Sequence, residues 1–246
     1  MSTRVLALLL TALLTAACSA TPADLPAAAA TDDTAAEALA ELDVALAGVS
    51  EGQDVADRAV NDVLEVVRAV DETVAQLAAP AGFDEAVAAH AEDVHPRVTA
   101  TTVDELRQGY LDVAATVDDA RQTLASARAV LDDPWEQEYL DAQDAVLLAV
   151  REYARTADRL AQLLVQHWPT YADVDATITD FAGRRGNYRD TQEAVDALAV
   201  EIDTALDELA VAQAQIAEHR ARRTTAGRAV NDATADAVTV FERRPQ

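Results

Sequence analysis

The chain has 246 residues, with 44 acidic residues, 19 arginines and no lysine, so its formal net charge is −25. Such a charge repels DNA and anionic lipid head groups, which excludes a nucleic-acid-binding protein and electrostatic attachment to a membrane. Half of the residues are apolar but only 4% are aromatic, and there is a single cysteine. We therefore expect a core rich in alanine and valine, with no internal disulfide.

The N-terminus has the order of a secretory signal. Arg4 supplies a positive charge, residues 5–14 are apolar, and a short segment ending in Ala17 leads to Cys18. The apolar run is too short to cross a bilayer, which needs about 20 residues. The ending resembles the lipobox of bacterial lipoproteins, with Thr15 where that pattern prefers Leu. The resemblance implies cleavage between Ala17 and Cys18, palmitate-type acyl chains on Cys18, and anchoring at the outer face of the cell membrane.

The segment that follows is predicted to be a tether. Pro22 and Pro26 oppose helix formation there, and no apolar periodicity is present. The predicted organisation is a signal peptide over residues 1–17, a lipidated cysteine with a flexible tether over 18–31, a helical bundle domain over 32–242, and a tail over 243–246.

Apolar residues at alternating steps of three and four predict long helices in the body. The first segment runs from Leu39 to Leu77, and its phase survives Gly52, which predicts one continuous helix. The second runs from Val103 to Leu131, and Thr102 with Glu105 predicts a capping box at its start.

Two further segments complete the pattern. The third begins with Asp133 as N-cap and Pro134 at the first helical position, and it runs from Leu140 to Leu164. The fourth runs from Tyr188 to Val240, and Gly227 indicates a kink or break in it.

Prolines are expected to lie only in the joints between these segments. They are Pro80, Pro96, Pro134 and Pro169. Short helices are predicted in two connections, Phe83–His95 and Ala172–Phe181. No segment alternates with period two, so strands are not expected. The sequence predicts an all-α fold, an elongated antiparallel helical bundle with coiled-coil-like heptad packing, about four long helices and short connecting helices.

Histidines offer only a weak candidate for a metal site. Glu92 and His95 have the Glu-x-x-His spacing that di-iron bundles such as ferritin-like proteins carry on two helices, and His90 lies nearby. The motif occurs once, and His95 precedes Pro96, a position that disfavours helix. We therefore expect solvated histidines, no metal and no cofactor. His219, on the apolar face of the fourth segment, is predicted to be partly buried and to fix helix register.

Two places could hold a small ligand. Trp168 and Tyr171 could line a cleft at one end of the bundle, although such residues more often close the end of a core. Arg184, Arg185 and Arg189 form the main local concentration of positive charge and could hold an anion. Pairing of these arginines with neighbouring carboxylates is the simpler interpretation.

No nucleophile, base or cofactor loop is identifiable, so the chain is not predicted to be an enzyme. We expect a membrane-anchored exported lipoprotein whose helical bundle is a non-catalytic binding or spacer module of the cell envelope. Its partner would be another envelope protein or a second copy of the chain. The alternative is a solute- or metal-binding lipoprotein that serves a transporter or sensor.

Overall fold

The structure is a computed structural model that describes residues 33–78, 80–92, 98 and 100–244. The signal peptide, Cys18, the tether and His95 lie outside the described residues. Within them the chain is an all-α helical bundle without strands, which confirms the predicted fold class.

Four long helices and one short connecting helix make up the described fold. They are α1 (Asp33–Ala75), α2 (Phe83–Glu92), α3 (Ala100–Arg128), α4 (Pro134–Arg184) and α5 (Thr191–Glu242). Short 3₁₀ turns occupy Gln76–Ala78, Pro80–Gly82 and Arg185–Asn187. Among these helices, none is both long enough and apolar enough to cross a membrane.

Side-chain caps start the two longest helices. The Asp133 carboxylate accepts a hydrogen bond from the Trp135 N–H at 2.8 Å, as the predicted N-cap of α4 requires. At α5 the Asp190 carboxylate accepts from the Glu193 N–H at 2.7 Å, so this helix begins three residues after Tyr188. α3 begins at Ala100, so Thr102 lies inside its first turn and not at the predicted cap.

Pro169 lies inside α4, and the prediction that it separates two helices is wrong. The predicted short helix at Ala172–Phe181 is part of the same helix. A proline inside a helix costs about 3 kcal/mol. The turns after it bury several large side chains, at about 1.5–3 kcal/mol each, which outweighs that cost. These side chains are Tyr171, Val174, Ile178 and Phe181.

A kink or break was predicted at Gly227, and the break is wrong, because α5 continues through Gly227 to Glu242. Gly227 faces the ring of Tyr153. A Cβ added to Gly227 would lie 3.6 Å from the nearest ring carbon, which is ordinary van der Waals contact. A glycine inside a helix costs only about 1 kcal/mol relative to alanine, and packing of the surrounding turns offsets it. At Gly52 the prediction of a continuous helix is confirmed.

The described chain divides into two compact units. Unit 1 contains the described residues up to Asp57, Gln108–Asp158 and the residues from Ala221 onward. Unit 2 contains Arg58–Arg107 and Arg159–Arg220. All four long helices, α1, α3, α4 and α5, contribute residues to both units.

Cross-helix contacts give the helix directions within each unit. In unit 1, Arg121 pairs with Asp144 at 2.8 Å and Arg151 with Asp118 at 3.4 Å, so α3 and α4 run antiparallel. In unit 2, His167 contacts Gln215 and Arg184 contacts Glu201, so α4 and α5 run antiparallel there. The predicted apolar faces form the core of both units.

Candidate functional site

Three aspartates recur at one heptad position of α1, and we call them the aspartate row. Asp43, Asp57 and Asp71 are each fourteen residues apart, which is two heptads. A tyrosine of α4 lies near each of them. These are Tyr139, Tyr153 and Tyr171 respectively. The row therefore brings a carboxylate and a phenol together at three levels of the described body.

The Asp57 cluster of unit 1 joins all four long helices. Asp57, which is only 3% exposed, accepts hydrogen bonds from Tyr110 of α3 at 2.6 Å and from Tyr153 of α4 at 2.8 Å. From α5 the Arg223 guanidinium donates to Asp57 at 2.9 Å and to the Tyr153 oxygen at 2.8 Å. A buried charge needs such pairing and hydrogen bonding to be tolerated.

The electrostatics of this cluster keep both phenols neutral. Burial, followed by the charge of Asp57, raises the pKa of Tyr110 and of Tyr153 far above the usual value. The cluster also lies beside the close approach of α1 and α3, where a Cβ on Gly109 would be 3.1 Å from the Ala56 Cβ. The four side chains therefore act as a register-setting polar layer, since they bond to one another and are almost fully buried.

Asp71 is the corresponding residue in unit 2, and it has no such shielding. Its carboxylate is half-buried and accepts hydrogen bonds from Tyr171 at 3.1 Å and from Gln213 at 2.9 Å. Burial raises the pKa of Asp71 and outweighs the two hydrogen bonds and the charge of Arg220, which lower it. Burial and the charge of Asp71 also raise the pKa of Tyr171.

Trp168 and Tyr171 therefore do not lie at a helix end as predicted, because α4 continues past both. Tyr171 is buried against Asp71, and Trp168 is half-buried one turn earlier in α4. The two residues do not mark an open end of the core in unit 2.

His90 is buried, so its prediction as a solvated residue is wrong. Its Nε2 lies 2.8 Å from the Asp175 carboxylate and its Nδ1 lies 3.2 Å from the Thr73 hydroxyl. This places α2 against α1 and α4 in unit 2. Glu92 is exposed at the end of α2. Within the described part of the chain, no three His, Cys, Asp or Glu side chains are grouped closely enough to hold a metal ion.

The predicted arginine cluster contacts acidic residues of unit 2. Arg184 donates to Asp180 and to Glu201, each at 2.8 Å, and its pKa is raised, chiefly by the bond with Glu201. Arg185 donates to the Asp84 carbonyl at 2.6 Å. The Arg189 side chain is exposed, while its N–H is bonded to the Glu193 carboxylate. His219 is half-buried as predicted, and its Nδ1 is a buried atom without a hydrogen-bond partner.

An open groove of about 470 Å³ lies between α4 and α5 of unit 2. Its floor is apolar, with the buried side chains of Val174 and Ile202. Its rim carries the carboxylates of Asp173, Asp180 and Glu201, and the last two are bonded to Arg184. The rim keeps an excess of negative charge over an apolar floor, which suits a small organic cation better than an anion.

The Asp57 cluster was missed at the sequence level. In the sequence Arg223 is one of 19 arginines and Asp57 one of 44 acidic residues, and neither was singled out as a site residue. The fourteen-residue recurrence of aspartate on α1 was the available signal. It could identify the α1 face, but it could not identify the partners that three other helices supply.

Comparison of the chain with protein-family models, with curated proteins and with solved structures finds no match. The pattern at the N-terminus and the contacts of the described helices are therefore the features of this chain that bear on its function.

Proposed function

We propose that this chain is an exported lipoprotein, held by acyl chains on Cys18 at the outer face of the cell membrane, whose helical body is a non-catalytic binding or spacer module. Residues 1–17 contain Arg4 and no acid, so their removal leaves a net charge of −26. A body of that charge gains nothing from anionic head groups, and attachment then depends on the lipid. Two or more acyl chains anchor stably, whereas one anchors only marginally.

The proposal that the body is non-catalytic is supported by one observation: the charged side chains named above are bonded to other groups of the protein. Asp57 is bound by three donors and is almost inaccessible, so it cannot exchange a proton with a substrate. Arg184 and Arg185, two of the three arginines of the predicted anion site, are bound by groups of unit 2. Such bonding supports a scaffold whose outer faces contact an envelope protein or a second copy of the chain.

The anchor is tested with Cys18→Ser, using Ser19→Ala as the matched control. The parent and the control are expected to fractionate with membranes as cleaved protein that incorporates labelled palmitate. Cys18→Ser is expected to give uncleaved precursor or soluble protein without label. Normal processing and membrane retention of Cys18→Ser would contradict the lipoprotein assignment.

The module is tested separately by crosslinking the native protein in membranes and identifying what it contacts. An envelope protein or a second copy of the chain is expected in the crosslinked product. Hydrolysis of cell-wall or phosphoester substrates by the purified body would overturn the non-catalytic assignment. Loss of that hydrolysis on mutation would then identify the residues responsible.

A second candidate, a solute-binding lipoprotein serving a transporter or sensor, is favoured by the acidic groove of unit 2. Ligands that bind only the folded state raise its melting temperature. A panel of small organic cations is therefore expected to raise Tm in the parent and less in Asp173→Asn. Equal responses in the two proteins would remove this candidate.

A further inference from the structure

The first member of the aspartate row has the same neighbours on α1 and α4 as Asp57. Within unit 1, Asp43 lies fourteen residues before Asp57, and Tyr139 lies fourteen residues before Tyr153. Burial and then the charge of Asp43 raise the pKa of Tyr139 to about 12, as burial and Asp57 raise that of Tyr153. We call the residues at the level of each aspartate its layer. The Asp43 layer and the Asp57 layer each contain one carboxylate from α1 and one phenol from α4.

The two layers differ on α5. This helix runs antiparallel to α4 in unit 1, where Tyr153 bonds to Arg223 and the Trp135 indole N–H donates to the Val240 carbonyl at 2.9 Å. A step of fourteen residues from Arg223 leads to Ala237, which is fully buried. An alanine has no group to donate, so α5 supplies no cation to the Asp43 layer.

A similar difference occurs on α3. Tyr110 donates to Asp57, whereas the residue fourteen positions later, at the level of Asp43, is the buried Leu124. The Asp43 layer therefore lacks both the guanidinium and the second hydroxyl that complete the bonding of Asp57. Its polar groups must find other partners.

Those polar groups are left without partners among the described residues. The Tyr139 hydroxyl and both side-chain atoms of Gln143 are buried and make no hydrogen bond. Gln143 is close enough to the Tyr139 hydroxyl to lower its pKa, although the two make no hydrogen bond of ordinary geometry. Burial raises the pKa of the half-buried Asp43, and no basic group opposes this. Buried polar groups are normally satisfied by protein groups, water or an ion, and of these a cation also balances the charge of Asp43.

We propose that Asp43, Tyr139 and Gln143 bind a small monovalent cation in the place that the Arg223 guanidinium takes beside Asp57. One carboxylate balances one positive charge, and the phenol and amide oxygens accept from a donor cation or coordinate an alkali ion. A single carboxylate is too little for calcium, which takes about 6–8 oxygen ligands. The partial exposure of Asp43 gives the ion a route from solvent.

The test is the melting temperature of the purified mature protein with guanidinium, methylammonium, sodium or potassium at millimolar concentration. Choline chloride holds the ionic strength constant, because any salt screens so acidic a chain. At least one of the four ions is expected to give a saturable rise of about 2–4 °C. Asp43→Asn is expected to lose this rise. Glu41→Gln, which removes an exposed charge from the same helix, is expected to keep it.

The pattern of responses separates the sources of the cation. A response to guanidinium and methylammonium alone assigns a hydrogen-bonding organic cation, and a response to sodium or potassium alone assigns an alkali ion. Insensitivity of the parent to all four ions would overturn the proposal. An equal response in Asp43→Asn would also overturn it.

A second variant supplies the cation from within the chain. Ala237→Arg is expected to raise Tm and to remove the response to added ions, since its guanidinium would lie where Arg223 lies in the Asp57 layer. A folded Ala237→Arg that still responds like the parent would contradict the proposed location. If the variant does not fold, the comparison of Asp43→Asn with Glu41→Gln decides the proposal.

Discussion

Asp57 in unit 1 and Asp71 in unit 2 occupy the same heptad position of the same helix and differ in their counter-charge. Asp57 is 3% exposed and accepts from two phenols and a guanidinium. Asp71 accepts from a phenol and an amide, both neutral, and stays half-buried. The cation bound directly to Asp57 is the main chemical difference between the two sites.

This contrast shows how far a bundle of this kind can bury an acidic residue. Full burial of a carboxylate removes its hydration, and neutral donors replace only part of it. A directly bonded guanidinium compensates for the rest, provided that its own hydrogen bonds are satisfied. The Arg223 guanidinium meets this condition through Tyr153, so Asp57 can lie in the core while Asp71 keeps contact with water.

The largest effect is expected when the cation is removed from the Asp57 cluster. Arg223→Met leaves a buried carboxylate without its counter-charge and is expected to lower the free energy of unfolding by about 3–5 kcal/mol. Urea denaturation measures this loss. Arg228→Met, on an exposed position of the same helix, is the matched control and should change stability by less than about 0.5 kcal/mol.

The double variant tests whether the loss comes from the unpaired charge. Asp57→Leu combined with Arg223→Met removes both charges and is expected to recover most of the stability. Equal losses in Arg223→Met and Arg228→Met would show that the cluster does not stabilise unit 1.

A smaller effect is expected from alkaline pH. The pKa of Tyr153 is raised in the folded state, so its contribution is complete below the unfolded value of about 10 and declines as pH rises through the folded pKa. Tyr153→Phe loses a hydrogen bond to a charged group, worth about 1.5–3 kcal/mol. Above pH about 10 this deficit should shrink by about 1.4 kcal/mol per pH unit, because only the parent must keep that phenol neutral.

Urea denaturation at a series of pH values, with tyrosinate absorbance as a second signal, follows this change. Tyr171→Phe extends the comparison to unit 2, where burial and Asp71 raise the tyrosine pKa as well. A deficit of Tyr153→Phe that stays constant from neutral to alkaline pH would contradict the raised pKa.

The smallest effect is expected at Asp71. Asp71→Asn keeps an acceptor for Tyr171 and Gln213 and is expected to change stability by less than about 1 kcal/mol at neutral pH. Because the folded pKa of Asp71 is raised, its stabilising contribution is complete below about pH 4 and is lost as pH rises through the folded value. As pH falls, the free energy of unfolding of the parent should therefore rise relative to that of Asp71→Asn.

Urea denaturation of both proteins at neutral pH and near pH about 4.5 measures the gain. Glu65→Gln, at an exposed position of the same helix, is the control for loss of one negative charge. A parent that weakens relative to Asp71→Asn on acidification would mean that the pKa of Asp71 is lowered, contrary to the structure.

Much of the fold could be predicted because a helix depends on residues that are close together in sequence, namely its apolar spacing and its caps. The apolar spacing from Leu39 to Leu77 and from Val103 to Leu131 predicted α1 and α3, and the Asp133 cap predicted the start of α4. Pro169 and Gly227 were misjudged for one reason. The local cost of each is a few kcal/mol at most, and the packing that offsets it involves residues far away in sequence.

The candidate sites could be predicted less well. Tyr171 and His90 were identified as residues of interest, but their partners Asp71, Thr73 and Asp175 lie on other helices. A sequence pattern shows which face of a helix a residue occupies. It does not show which side chain of another helix lies opposite, because that depends on the relative register of the helices.

The sequence by itself determined the helices, their apolar faces, the acidic charge, and the N-terminal pattern from which a lipid anchor is proposed. Only the tertiary structure determines which aspartate of α1 is bonded to an arginine side chain. Asp43, Asp57 and Asp71 are equivalent along the chain, and only the register of α5 in unit 1 brings Arg223 to Asp57. The physical reason is range: helix periodicity acts over a few residues, whereas charge pairing in a core depends on helices that meet across the whole chain.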